Sequence, residues 1–163
     1  MNIAMTIDGA LRNPTTDGVI PLGGTLYHAL TAQHSLYLLS DELDYLRTQN
    51  WLRLNSLTRH MRVIQPRRPN DWRTATQLRL DAIGYLTGTG TKVDLIIEPD
   101  PAITAELLGL GHPVATLSLP HFAKPQWRPD YTQSPRPWDA LVDEVETQAQ
   151  AYAADPRRTA EPL

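Results

Sequence analysis

Five short apolar runs, each separated from the next by a segment long enough to hold a helix, constrain this chain more than any other feature of its sequence. They are Ile3 to Ile7, Ser35 to Leu39, Met61 to Ile64, Val93 to Ile97 and Val114 to Leu119. Each has the length of a buried strand, and the alternation of such strands with helices is the pattern of a parallel sheet covered on both faces. The expected fold class is therefore α/β, with a five-stranded parallel sheet between two layers of helices.

The connections support that reading. Turn signals at Asn13-Pro14, Asp17-Gly18 and Gly23-Gly24 make Gly9 to Gly24 a loop or small hairpin, followed by a helix over about Thr25 to Gln33. Ser40 is placed to cap a second helix ending near Leu54, and Asn70 or Asp71 to cap a third. In that third helix Ala75, Leu78, Ala82, Ile83 and Leu86 recur at intervals of three and four until Gly88 and Gly90 end it. A short fourth helix, Pro101 to Leu108, starts on a proline whose missing N–H would be unpaired in the first turn anyway.

Length and charge narrow the function classes. At 163 residues there is room for one compact domain of this kind. The 15 basic and 18 acidic residues give a formal charge of −3, so nucleic-acid binding would need a local patch. The absence of cysteine excludes disulfides, a thiolate nucleophile and a thiolate zinc site, and fits a reducing, cytoplasmic setting. Met1 to Leu11 carries Asp8 early and reads as a first strand rather than a signal peptide. No apolar stretch reaches the roughly 20 residues that cross a bilayer, so no membrane partner is expected. The five histidines are scattered without a close helical pair of the kind a metal site uses.

In an open parallel sheet ligands bind beyond the carboxyl ends of the strands, where the strand order reverses. The first strand delivers Thr6 and Asp8 to that edge, the second Ser40 and Asp41, the fourth Glu98 and Asp100. Carboxylates gathered with a hydroxyl and glycine-containing loops suit a hard divalent cation, and magnesium is the expected cofactor of such a set.

Three segments carry a resemblance. Met5-Thr6-Ile7-Asp8-Gly9-Ala10-Leu11 resembles the first motif of the haloacid dehalogenase (HAD)-like superfamily, a strand followed by Asp-x-Asp-Gly-x-Leu. Leu36-Tyr37-Leu38-Leu39-Ser40 resembles the second motif, and Leu95-Ile96-Ile97-Glu98-Pro99-Asp100-Pro101 the fourth, with Pro99 in place of one of the paired acids. The resemblance covers approximately Met1 to Pro120 and implies a Rossmann-like three-layer sandwich. The whole chain is similar to small superfamily members encoded by bacteriophages of actinobacteria, chiefly through the arm from Pro120 to Asp130, and that would place it in the host cytoplasm.

What the resemblance implies about chemistry is a site with one essential part changed. Thr6 stands where the attacking aspartate stands in active relatives, and Asp8 at the position of the general acid and base. A threonine hydroxyl is a poor nucleophile without an adjacent base, and the change also deletes a magnesium ligand. By the same resemblance Thr6, Ser40, Arg68 and Arg73 would contact phosphate, with Arg68 or Arg73 supplying the basic third motif, and Asp8, Glu98 and Asp100 would hold a weakened metal site. Ser40 serves equally as a helix cap. Only 31 residues, 9 to 39, lie between Asp8 and Ser40 and must include a helix, so no large cap domain fits and the site would be capless.

The expected organisation is a core over 1–120, a proline- and aromatic-rich arm with an amphipathic helix over 121–153, and a flexible tail over 154–163. The expected function is that of a catalytically degenerate, phosphatase-like binding or regulatory protein, one that targets a host factor if phage-encoded. It would engage a protein partner, a second copy of itself, or a nucleotide or other phosphorylated ligand. A magnesium-dependent phosphohydrolase acting on nucleotides or nucleic-acid ends is one alternative, and a structural or assembly protein another.

Overall fold

A computed structural model describes residues 1–117, and beyond them residues 142, 143, 145–147 and 150, whose backbone is helical. The expected arm, the rest of the last helix (Trp138, Leu141, Ala149 and Tyr152 included) and the tail lie outside the described residues. The elements run β1 (Asn2–Thr6), α1 (Pro21–Thr31), β2 (Ser35–Leu39), α2 (Tyr45–Leu54), β3 (Arg62–Ile64), α3 (Ala75–Gly88), β4 (Leu95–Glu98), α4 (Pro101–Gly109) and β5 (Val114–Thr116).

All five strands are parallel, in the order β3-β2-β1-β4-β5. The chain winds outward from β1 to β3, then returns and winds the other way through β4 and β5, so strand order reverses between β1 and β4. This is the Rossmann-like α/β layout that the alternation predicts. Side-chain alternation along the strands divides the core in two. Ile3, Met5, Leu36 and Leu38 pack with Tyr27 of α1 and with Trp51 and Leu52 of α2. Ala4, Leu39, Ile64 and Ile96 pack with Ala82, Ile83 and Leu86 of α3 and with Ile103 and Leu107 of α4.

Several local expectations change. The first helix starts at Pro21 rather than near Thr25, because the proline suits the first helical turn and the glycine pair that follows is drawn into the helix. Gly23 is needed there: a Cβ at that position would lie 1.8 Å from the carbonyl oxygen of Ala10. Ser40 does not cap α2. Asp44 does, accepting from the Arg47 N–H, while Ser40 Oγ accepts from the Glu42 N–H at 3.2 Å. Neither Asn70 nor Asp71 caps α3; Thr74 does, in a reciprocal capping box with Gln77. Between β1 and α1 runs only a short loop, residues 7–20, pinned by isolated bridges joining Arg12 to Asp8 and to Val19. Among the described residues the site is therefore capless.

Candidate functional site

The carboxyl ends of β1 and β4 meet at the point of strand reversal, and their last residues, Thr6 and Glu98, touch there. Thr6 Oγ1 donates to Glu98 Oε2 at 2.7 Å. Both side chains are essentially inaccessible, each with a relative exposure of 1%. Glu98 receives two more donors: Nε of Arg79 at 2.8 Å and the Asp100 N–H at 3.2 Å.

Arg79 organises this centre. It lies on α3, buried among Leu78, Ala82 and Ile83, and its guanidinium divides itself between two strands. Nε serves Glu98, while Nη1 and Nη2 both donate to the Asp41 carboxylate just beyond β2, the latter at 2.9 Å. Burial by itself would lower the pKa of Arg79; Glu98 and Asp41 outweigh it and hold the guanidinium firmly charged. For Glu98 burial pushes the carboxyl up, and Arg79, Thr6 and the Asp100 amide pull it back only in part.

A second arginine neutralises the other side of the site. Arg12, also buried, donates from Nε to Asp8 Oδ1 at 2.7 Å, faces the Trp51 ring at 5.5 Å and approaches Asp17 and Glu42 at 3.7 and 3.8 Å. Gly9, at φ +86, makes the turn that follows Asp8 and lies against Pro99. Beside this pair opens a depression of about 350 Å³ lined by Asp8, Arg12, Asp17, Asp41, Glu42, Arg47 and Arg67 among others.

The residues expected from sequence are thus only partly brought together. Thr6 and Glu98 meet directly, and Asp8 follows Thr6 by two positions on the way to Arg12. Ser40 is fully buried, with its Oγ 3.5 Å from Thr48 Oγ1 on α2. Asp100 caps α4, accepting from the Ala102 N–H at 2.8 Å. Arg73 is turned away to Asp71, Asp81 and the Pro66 carbonyl, and Arg68 sits on the same outer loop. The arginine whose side chain reaches the carboxyl ends of the strands is Arg79, from α3 to Glu98 and Asp41, whereas Arg68 and Arg73 stay on the outer loop. Among the described residues no group of three or more His, Asp or Glu side chains is placed to share a metal ion, and Asp8, Glu98 and Asp100 each point to a different partner.

No family model matches the chain, and no curated protein sequence matches it. Chains of solved structures do, nine in number. One, described as the structure of the Pnkp1/Rnl/Hen1 RNA repair complex, aligns with a TM-score of 0.61 at 14% identity, over 71% of this chain and 42% of that one. Another, described as the structure of the Pnkp1/Rnl/Hen1 complex, aligns with a TM-score of 0.60 at 15% identity, over 71% of this chain and 45% of that one. This chain therefore spans less than half the length of these two chains, and the likeness is one of fold.

Proposed function

We propose that this protein is a catalytically degenerate, HAD-like phosphatase-type domain that works by binding rather than by phosphoryl transfer. The observation that carries the proposal is the bridge of Arg79 across Glu98 and Asp41, with the Thr6 hydroxyl bonded to the same glutamate oxygen. For Thr6 to attack phosphorus, a substrate would have to reach a side chain that is 1% exposed. Glu98 would then have to accept the threonine proton while held by a permanent cation, which opposes its action as a base. The carboxylates suited to magnesium are each committed elsewhere, Asp8 to Arg12, Glu98 to Arg79 and Asp100 to the first turn of α4, so no step is assigned to a metal.

The ion pairs make the former reaction centre a structural lock, and they leave the outer surface of the sheet edge to do the binding. A role in an assembly, or close to nucleic acid, is supported by the fold's likeness to chains of an RNA repair complex. A second reading, hydrolysis through Thr6, draws on one observation, the 2.7 Å hydroxyl to carboxylate contact. Calorimetric titration with magnesium separates the two. The proposal predicts no saturable uptake at millimolar magnesium by either the native protein or Asp8→Asn. Saturable uptake that Asp8→Asn abolishes would overturn it.

A further inference from the structure

Away from the Arg79 centre, the edge of the sheet presents a different chemistry. Over residues 62–73 the sequence reads RVIQPRRPNDWR, which places four of the chain's 15 basic residues in twelve positions, against one acid. Such a concentration stands out in a chain of net charge −3. Strand β3 is one of the two edge strands of the sheet. It floors a groove of about 540 Å³ whose walls include Tyr45 at the start of α2 and Tyr85 on α3, with Arg62, Arg68 and Arg73 also in its lining.

The charge of this groove is not cancelled internally. Arg73 is neutralised by Asp71 and Asp81, which hold its pKa above the usual value. Arg62, Arg67 and Arg68 form no salt bridge among the described residues. Arg62 donates to the Tyr85 hydroxyl at 3.0 Å and lies 6.0 Å from the centre of that ring; Arg67 donates to the Asp41 carbonyl. Aromatic rings accompany these cations: Tyr45 and Tyr85 line the same groove and are half exposed, and Trp72, on the loop beside Arg68, is 85% exposed.

An exposed tryptophan offers a flat face on which a ring can stack, and the guanidinium groups of Arg68 beside it and Arg62 in the groove, neither in a salt bridge among the described residues, suit an anion. Flat π-faces alternating with arginines are what an unpaired polynucleotide strand uses, its bases stacking on the rings and its phosphates meeting the cations. A duplex would hide its base faces from these rings, and a small phosphate would use the arginines alone. We infer that the groove along β3, lined by Tyr45, Arg62, Arg68 and Tyr85, together with Trp72 on the adjoining loop that Arg68 shares, binds single-stranded nucleic acid. This inference does not rest on the reading of the Arg79 centre, because the two sites share no residue and either can hold without the other.

The test is fluorescence anisotropy of the full chain with labelled oligo(dT), oligo(U) and a duplex, each of about 20 nucleotides per strand, titrated with salt. The single strands should bind and the duplex bind more weakly, and the two single-stranded arms distinguish DNA from RNA. Arg62→Ala with Arg68→Ala should weaken binding about tenfold and reduce the salt slope by about 1.4, the value for two phosphate contacts on a single strand. Trp72→Ala should weaken binding by about tenfold through lost stacking, with little change in salt slope. Arg53→Ala, an exposed change at the far end of α2, should leave binding unchanged. All of these are surface changes, and unaltered circular dichroism and melting would show that the fold is kept. No binding at low salt would overturn the inference, as would binding that the double variant retains. So would a duplex preference that ignores Trp72, or self-association that Tyr45→Ala and Tyr85→Ala reverse without any effect of oligonucleotide, since the groove would then be a protein interface.

Discussion

Replacing Arg79 with methionine tests the lock at the sheet edge. Methionine keeps much of the buried stem on α3 and removes the guanidinium, with its charge and its donors to Glu98 and Asp41. The loss falls on Glu98, which is 1% exposed and would become a buried carboxyl without its cation. Removing one partner of a buried pair costs about 3 to 5 kcal/mol. Asp41 adds little, because its side chain is 25% exposed and water can take over from Arg79. For a domain of this size the total lowers Tm by about 10 °C. The sign of the pH dependence follows from Glu98. Burial already raises its pKa, and without Arg79 it rises further. A carboxyl whose folded pKa exceeds its unfolded value favours folding while protonated, and that contribution is lost as pH climbs from about 4.3 through the folded pKa. Urea unfolding of Arg79→Met should therefore show the full loss at pH 8 and a much smaller one near pH 4.5. Adding Glu98→Gln should restore most of the stability at pH 8, because the amide needs no cation and still accepts from Thr6. A loss below about 1 kcal/mol, or one equal at both pH values, would refute the description of this pair as buried and charged.

Four further outcomes follow from the same geometry. Gly23→Ala forces a Cβ against the Ala10 carbonyl and should cost about 3 kcal/mol in denaturant unfolding. Gly84→Ala, on the exposed side of α3 with nothing within 4 Å, should instead stabilise by about 0.5 to 1 kcal/mol. Thr74→Ala removes the capping box of α3 and should lower stability by about 1 kcal/mol by the same measurement. Thr6→Asp places a second buried carboxyl beside Glu98; it should destabilise by about 3 kcal/mol at neutral pH, less in acid, and produce no phosphate release.

Much of the fold was legible because strands buried on both faces leave unmistakable apolar runs: β2 starts and ends where Ser35 and Leu39 suggest, and β1 and β4 shift by a residue or two. Helix starts were less so. Asn70, Asp71 and Thr74 are all good capping residues within five positions, and only tertiary placement selects Thr74, with Gln77 reciprocating. At the site, the sequence points to Thr6, Asp8 and Glu98 as neighbours at one sheet edge, since topology alone brings the ends of β1 and β4 together. It does not point to Arg79. A signal was there, because position 79 falls three and four residues before Ala82 and Ile83 and seven before Leu86, on the stripe that faces the core. A charged residue on such a stripe requires buried partners. Arg68 and Arg73 stand nearer the start of α3, yet Arg73 has Asp71 and Asp81 close at hand and turns to them. The groove along β3 was legible only as a run of basic residues; that Tyr45 and Tyr85 come from separate helices to flank it is a consequence of the fold.

The central claim is that the centre around Arg79 does not transfer phosphoryl groups. Its most direct test is magnesium-dependent phosphate release by the folded protein from small phosphomonoesters, nucleotides and phosphorylated DNA and RNA ends, with Asp8→Asn alongside. The account predicts no release above that of Asp8→Asn on any substrate. Turnover by the native protein that Asp8→Asn abolishes would contradict it and make the Thr6 and Glu98 pair part of a working hydrolase.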